Sequence, residues 1–388
     1  MDITIQPGKL QGRISIIPSK SQAHRLLICA AFAESPTKLL CAETNEDIVA
    51  TVNCLRALGA GIIQTSEGYQ VTPVQELPAK AELNCRESGS TLRFLLPVVG
   101  ALGVTATIHM EGRLPQRPLS PLWEEMERMG CRLSRPTDNS ILCQGKLRAG
   151  TYTIAGNVSS QFISGLLFAF SLMEEKSRLN ILGKLESKPY VQLTEDALAL
   201  FFHCRKSPEI VAVEGDWSNG AFWLAAKQLG SELEINGLNP VSVQGDRSVW
   251  DLLPKLQTGF STIACEDIPD LVPILSIAAA CSHGAEFTGI QRLRLKESDR
   301  VASVLAMLHS LGGMAMASED TMKVYGTGLT GGIVDAMNDH RIAMSAAVAA
   351  TVCTGNVTIL GAECVKKSYP RFWEEYTRLG GNYELYLR

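Results

Sequence analysis

One phrase ends helix after helix along this chain. It reads Leu55-Arg56-Ala57-Leu58-Gly59-Ala60, then Met126-Glu127-Arg128-Met129-Gly130-Cys131, then Leu308-His309-Ser310-Leu311-Gly312-Gly313 and Tyr376-Thr377-Arg378-Leu379-Gly380-Gly381. Looser copies lie at Ala199–Cys204 and Leu253–Phe260. Each clear copy puts Gly just past the last periodic apolar residue, where a helix closes through a left-handed residue. Short strand patterns follow at Gly61–Gln64, Arg132–Ser134, Met314–Ala317 and Tyr383–Tyr386. The copies are spaced by roughly 50 to 70 residues where adjacent, a period that marks a repeated architecture. The pattern predicts six α/β units, grouped as two domains of three.

The helix starts repeat as well. Ser19-Lys20-Ser21, Ser88-Gly89-Ser90, Ser159-Ser160-Gln161, Ser218-Asn219-Gly220, Ser298-Asp299 and Asn338-Asp339 each lead into a run of small apolar residues. Ser, Asn and Asp accept the free amide hydrogens of a first turn. Taken singly, such phrases are ordinary caps. Here basic residues stand beside them: Lys20 with Arg25, Arg93 after Gly89, Arg117 in Gln116-Arg117-Pro118, Lys296 with Arg300, Arg341 after His340, and Lys367 after Lys366. A helix N-terminus carries about half a positive charge and open amides, so a cation beside it makes a site for phosphate or carboxylate. The whole chain has net charge −4. Cations gathered at element ends in an acidic protein point to small anionic ligands and away from a nucleic-acid face.

Other classes are excluded. The 11 cysteines are scattered, with no CxxC pair, and the six histidines are dispersed, so neither a metal site nor a disulfide framework is expected. That usage suits a reducing cytoplasm. The opening residues Met1–Ile5 read as a strand and not as a secretion signal. The longest apolar run, Phe94 to Val104, falls short of the about 20 residues a membrane span needs. Gly326–Gly331 matches GxGxxG but lacks a strand–helix setting, so a hairpin turn is expected there.

Nine phrases then carry a resemblance that covers the chain. They are Pro18-Ser19-Lys20-Ser21 with Arg25, Glu87 to Arg93, Gln116-Arg117-Pro118, Val158-Ser159-Ser160-Gln161, Ser187-Lys188-Pro189-Tyr190, Ile268-Pro269-Asp270, Arg292 to Arg300, Asn338-Asp339-His340-Arg341 and Lys367-Ser368-Tyr369-Pro370. In this order they resemble the motifs of the 5-enolpyruvylshikimate-3-phosphate synthases, members of the enolpyruvyl transferase family. Arg292 and Glu87 stand where many members carry Asn, and the chain is somewhat short for the family.

The resemblance implies an α/β fold of two similar domains, each of three βαβαββ units in an inside-out α/β barrel, with the active site in the cleft between them. It assigns residues 20–212 to one domain and residues 1–19 with 213–388 to the other, with a return hinge near Val213-Glu214-Gly215-Asp216. It implies transfer of the enolpyruvyl group of phosphoenolpyruvate to the 5-hydroxyl of shikimate 3-phosphate, by addition and elimination through a tetrahedral intermediate, without metal or cofactor. Shikimate 3-phosphate would be held by Lys20, Ser21, Arg25, Ser159, Ser160, Gln161, Ser187, Tyr190, Asp270 and Lys296. Phosphoenolpyruvate would be held by Lys20, Gly89, Arg117, Gln161, Arg300, Arg341 and Lys367. Asp270 would act as base and Glu297 or Lys20 as acid. The protein would be a cytoplasmic monomer with no nucleic-acid or membrane partner, and its phosphoenolpyruvate subsite would be the one that the family's inhibitor glyphosate occupies.

Two rivals remain. The sister enzyme that modifies UDP-N-acetylglucosamine would show Lys-Asn in place of Lys20-Ser21 and a reactive Cys on a Gly-rich loop. Cys131 follows Gly130 but reads as a buried thiol at a strand start. A non-catalytic sensor of phosphorylated metabolites would tend to lose Asp270 or Glu297, and both are present.

Overall fold

The structure is a computed structural model that describes residues 1–203 and 206–386. The looser repeat at Ala199–Cys204 therefore ends outside the described residues. The first elements are β1 (Asp2–Ile5), β2 (Gln11–Ser15), α1 (Lys20–Ala31), β3 (Thr37–Leu40), α2 (Glu46–Ala57), β4 (Gly61–Thr65), β5 (Gly68–Thr72) and β6 (Lys80–Asn84). Next come α3 (Gly89–Leu102), β7 (Thr105–His109), α4 (Leu122–Arg128), β8 (Cys131–Ser134), β9 (Ser140–Gly145), β10 (Thr151–Ala155), α5 (Ser160–Ser171), β11 (Arg178–Leu182), α6 (Lys188–Phe202) and β12 (Ile210–Ala212). The later half holds α7 (Trp217–Gln228), β13 (Glu232–Asn236), α8 (Val249–Thr258), β14 (Ser261–Ala264), α9 (Val272–Ala280), β15 (Ala285–Thr288), α10 (Arg300–Ser310) and β16 (Met314–Ala317). It closes with β17 (Thr321–Tyr325), β18 (Gly332–Asp335), α11 (His340–Ala350), β19 (Val357–Leu360), α12 (Phe372–Arg378) and β20 (Tyr383–Tyr386).

Contacts divide the chain into two compact units, Pro18–Glu214 and Met1–Ile17 with Gly215–Arg388. Within the first lie the sheets β12-β3-β5-β4, β6-β7-β9-β8 and the parallel pair β10-β11. Within the second lie β14-β15-β17-β16, β18-β19-β1-β20 and the parallel pair β13-β2. The four-stranded sheets share one plan: a parallel pair, then two antiparallel neighbours. That is the sheet expected of a βαβαββ unit, repeated. The β10-β11 and β13-β2 pairs carry only the parallel part.

Several helices are enclosed within the units, while the sheets turn one face outward. Every residue of α9 and of α11 is buried, and α3 leaves only Ser90 and Leu102 partly exposed. The outer strands alternate instead: β6 and β8 bury every second residue and expose the others. A helix apolar on all faces must be surrounded, whereas a strand can turn one face to water. Ala and Gly make such helices possible. A Cβ on Gly165 would stand 2.2 Å from the Arg93 carbonyl oxygen, so α5 meets α3 backbone to backbone.

The helix ends are those the sequence predicts. Gly59, Gly130, Gly312 and Gly380 take φ of 104°, 116°, 79° and 93°. Gly259, in the looser copy, is extended at φ 161° and closes no left-handed turn. Ser19, Ser88, Ser159, Asp299 and Asp339 all cap as expected. Ser218 does not. Asp216 caps α7 by accepting from the Asn219 amide at 2.8 Å, because its extended backbone lets the carboxylate reach over the turn. The Gly326–Gly331 hairpin is also corrected. Strands β17 and β18 belong to different sheets, so this segment is a connection between sheets. Its amides bond elsewhere: Gly328 donates to the Ala280 carbonyl and Thr330 to that of Leu311.

Candidate active site

In the Pro18–Glu214 unit the helix starts hold two groups of polar side chains. The first is centred on Arg25. Its Nε donates to Thr194 Oγ1 at 2.8 Å, and its terminal nitrogens donate to the Ser21 carbonyl at 2.6 Å and the Tyr190 carbonyl at 2.8 Å. The guanidinium also lies 4.9 Å from the centre of the Phe94 ring. Burial lowers the Arg25 pKa to about 10, while Tyr190 and Cys29 act to raise it. Arg25 thus ties α1 to the start of α6, where Ser187 takes a left-handed conformation (φ 56°) and is buried. One turn earlier on α1, Lys20 pairs with Asp47 at 2.8 Å.

The second group gathers at the start of α3. Gly89 opens that helix behind its cap Ser88. A Cβ on Gly89 would stand 2.8 Å from one Arg93 nitrogen and 2.9 Å from one of Arg117. Gln161, in the first turn of α5, accepts from Arg93 at 2.9 Å and donates to Ser90 Oγ at 3.0 Å. Arg93 also donates to the Pro118 carbonyl at 3.2 Å, which anchors the loop bearing Arg117. Two guanidinium groups therefore converge on bare backbone at a helix N-terminus. Such an arrangement suits a phosphate, since a side chain there would intrude.

In the other unit Asp270 sits among cations. Its Oδ1 accepts from Arg300 at 2.7 Å and its Oδ2 from Arg341 at 3.0 Å, with Lys296 Nζ 3.6 Å from Oδ1. Burial pushes the Asp270 carboxyl up, but Arg341, Lys296 and Arg300 outweigh it and hold it well below the usual carboxylate range. Burial lowers Lys296 to about 8 against the opposing pull of Asp270. Arg300 is enclosed, with no exposed side-chain surface. It donates through Nε to Asp339 at 3.0 Å and through NH2 to Glu297 at 2.5 Å as well as to Asp270. Burial alone would lower its pKa, but Asp339, Glu297 and Asp270 raise it, so the group stays charged. Asp339 also caps α11 by accepting from the Arg341 amide at 3.0 Å. Lys367 joins from the next segment, donating to the Asn338 carbonyl at 3.0 Å.

A family model described as EPSP synthase (3-phosphoshikimate 1-carboxyvinyltransferase) matches residues 5–202 and 203–376. The chain belongs to the EPSP synthase family. Its relatives include the 3-phosphoshikimate 1-carboxyvinyltransferases of Clostridium kluyveri and Clostridium acetobutylicum. Each is 37% identical over 417 aligned residues, with 98% of this chain and 97% of the relative covered. The EPSP synthase of Acinetobacter baumannii shares the fold, with a TM-score of 0.79 at 22% identity over 99% of this chain and 100% of the other. So does the enolpyruvyl transferase NikO of Streptomyces tendae, with a TM-score of 0.77 at 16% identity, 99% of this chain and 98% of the other being covered. The two-domain α/β architecture expected from the sequence is thus the architecture of the family.

The family motifs fall into the clusters just described. Lys20, Ser21, Arg25, Ser159, Ser160, Gln161, Ser187, Tyr190, Gly89 and Arg117 all lie in the first unit. Asp270, Lys296, Glu297, Arg300, Arg341 and Lys367 lie in the second. Arg117 precedes α4, as the sequence suggests, and directly follows a single 3-10 turn, Leu114–Gln116; Arg93 fixes its loop. Arg93 was expected only as a helix-start cation beside Gly89 and not as a substrate ligand, and Asp47 and Asp339 were not among the residues expected to form the site. Each holds an expected one in place. The sequence signal was present for Arg93, one turn after Gly89. Asp47 reads as one of two acids in the first turn of α2, and Asp339 as a cap, so their pairing with Lys20 and Arg300 was hidden. Among the described residues no three His, Cys, Asp or Glu side chains are grouped to hold a metal, and no helix is long and apolar enough to cross a membrane.

Proposed function

We infer that this chain is a 3-phosphoshikimate 1-carboxyvinyltransferase. It moves the carboxyvinyl group of phosphoenolpyruvate to the 5-hydroxyl of shikimate 3-phosphate and releases phosphate, a step towards chorismate and the aromatic amino acids. Beyond family membership, the observation that carries this reading is Asp270, an ionised carboxylate bonded to Arg300 and Arg341 with Lys296 beside it. A base among anion-binding cations is what an attack between two anionic substrates needs.

The reaction follows from these groups. The carboxylate of phosphoenolpyruvate competes with Asp270 for Arg341 and for the one Arg300 nitrogen that bonds Asp270. As those cations turn to the substrate, Asp270 loses the charges that weaken it as a base. It then takes the proton of the 5-hydroxyl as that oxygen bonds to C2 of phosphoenolpyruvate. Glu297 or Lys20 gives a proton to C3, which forms the tetrahedral intermediate. Loss of a C3 proton and of phosphate restores the double bond. Gly89, Arg93 and Arg117 receive the departing phosphate, whose growing charge they stabilise. Ser159, Ser160, Gln161, Ser187 and Tyr190, with Ser21 and Arg25 behind them, hold shikimate 3-phosphate. We read the protein as a monomer and place it in the cytoplasm, the latter because the cysteines among the described residues are free thiols.

The sister reaction gains no support from Cys131, which is buried on β8 beside Cys143. Mixing the purified protein with phosphoenolpyruvate and shikimate 3-phosphate should release phosphate only when both are present. Release with UDP-N-acetylglucosamine in place of shikimate 3-phosphate, or no release at all, overturns this reading.

A further inference from the structure

Beneath the Lys20 and Gly89 groups runs a fully buried chain of hydrogen bonds. His24 Nδ1 lies 2.7 Å from Thr51 Oγ1, Thr51 Oγ1 lies 2.7 Å from Thr91 Oγ1, and the Thr91 hydroxyl donates to Ser88 Oγ at 2.8 Å. His24, Thr51, Thr91 and Ser88 each have 0% exposure. The chain crosses three helices, from α1 through α2 to the first turn of α3.

Its direction is fixed by counting protons. The Thr91 hydroxyl donates to Ser88 Oγ, and its other acceptor is the Asp47 carbonyl at 3.5 Å, so in either case its proton points away from Thr51. Thr91 therefore accepts from Thr51. Thr51, having given its only proton, accepts from His24. The imidazole must carry hydrogen on Nδ1 and leave Nε2 unprotonated. That fits its surroundings, because Nε2 is buried without a hydrogen-bond partner and Phe94 stands edge-on to the ring at 6.4 Å. Burial first, then Lys20 and Arg25, hold His24 well below its ordinary pKa and keep it neutral.

The chain is also one rung of a ladder. Lys20 and His24 are four residues apart on α1, and Asp47 and Thr51 are four apart on α2, so each pair shares a helix face. Lys20–Asp47 is the outer rung and His24–Thr51 the inner one. Thr91 then carries the inner rung to Ser88, whose Oγ also accepts from the Thr91 amide and so shapes the turn that begins with Gly89.

We propose that His24 is a positioning residue for the phosphoenolpyruvate half of the site: as the terminal donor of this chain it sets Lys20 on α1 and the Gly89–Arg93 turn of α3 at the spacing the substrate phosphate requires. The proposal rests on the functional reading above. It also explains why a histidine occupies a helix interior where it can make only one hydrogen bond: a hydrocarbon there would leave the Thr51 hydroxyl free to turn and the ladder with its outer rung alone.

Steady-state phosphate release tests it, with His24→Leu, His24→Asn and Thr91→Val beside the parent protein. Leu removes the donor while filling similar space; the Asn amide nitrogen reaches about where Nδ1 stands; Val replaces the Thr91 hydroxyl by a methyl of equal size. His24→Leu and Thr91→Val should raise the Michaelis constant for phosphoenolpyruvate about ten-fold, while that for shikimate 3-phosphate stays within about two-fold. His24→Asn should restore the phosphoenolpyruvate value to within about three-fold of the parent. A folded His24→Leu protein with unchanged constants, equal rises for both substrates, or an Asn variant as poor as Leu overturns the proposal. If His24→Leu does not fold, as judged by circular dichroism, Thr91→Val decides. If neither folds, the chain serves stability alone and the proposal fails. A parent protein that releases no phosphate removes the functional reading, and this inference falls with it; an active parent with indifferent variants removes only the inference.

Discussion

Two carboxylates in the Gly215–Arg388 segment show how position decides what a single residue does. Asp270 is surrounded by Arg341, Lys296 and Arg300 and stays ionised. Replacing it by Asn removes the base, and turnover should fall at least about 10²-fold, the low end for general acid–base catalysis. Binding of shikimate 3-phosphate, measured by calorimetry, should weaken by no more than about ten-fold, since one of its many contacts is altered. Near-normal turnover would remove Asp270 from the base role. Asp246 behaves in the opposite way. It is 1% exposed and accepts a hydrogen bond from Ser218. Burial raises it to about 7, Asp270 adds to the rise, and Arg341 works against it. An unfolded Asp titrates near about 3.9. The folded protein therefore binds the extra proton between those values, so the contribution of Asp246 to stability is fully present below pH about 4 and is lost as pH rises towards about 7. Asp246→Asn, which cannot ionise, should gain in melting temperature relative to the parent across that window. A gap between the two that does not change with pH would contradict the assignment.

At the level of elements, the capped helix start is the working part. Gly89 illustrates it. Its φ lies outside the left-handed region, so no backbone angle demands glycine here. The constraint is space: a methyl would press on Arg93 and Arg117, whose guanidinium ends can move. Gly89→Ala should leave the melting temperature nearly unchanged. It should weaken glyphosate by about ten- to a hundred-fold, the effect of about 1–3 kcal/mol of crowding. The Michaelis constant for phosphoenolpyruvate should rise less, because the shorter substrate tolerates displaced arginines better. Equal losses for both ligands together with a lowered melting temperature would return Gly89 to a purely structural role. The six helix starts were legible in sequence because a cap and the residues it serves lie within one turn. The exception, Ser218, lost its place to Asp216, and the two compete within three residues. Caps are local, but which of two neighbours wins depends on the backbone angle the surrounding fold imposes.

For the whole molecule the decisive fact is where β1 goes. It pairs antiparallel with β19 on one side and β20 on the other, so the first residues fill the middle of a sheet built from the last. Ile3 and Ile5 are fully buried in that core. Deleting Met1–Pro7 should split the sheet and leave its two inner edges unpaired. Near-UV circular dichroism reports this directly, because Trp217, Trp223, Trp250 and Trp373 all belong to this unit. The near-UV signal of these four tryptophans and phosphate release should both be lost, while Trp123 in the other unit keeps its own. A shortened chain that keeps either would show that β1 is dispensable.

The sequence by itself determined the helix caps other than that of α7, the glycine closures of the clear repeats and the order of the anion-binding phrases. All of these depend on residues a few positions apart, and the backbone geometry of one turn is enough to read them. The extents of β16 and β20 were predicted from the same short-range pattern, Met314–Ala317 and Tyr383–Tyr386. Only the tertiary structure decided which charges meet. Lys20 and Asp47 are 27 residues apart, Arg300 and Asp339 are 39 apart, and Arg341 and Asp270 are 71 apart. Each side chain alone reads as an ordinary surface charge or a cap. The segment after β17 was misread as a hairpin for the same reason: whether two consecutive strands pair depends on what their other edges meet, and β17 and β18 find β15 with β16, and β19, instead of each other. Pairing over such distances is fixed by burial and by which partners satisfy buried polar groups, and no local pattern records it.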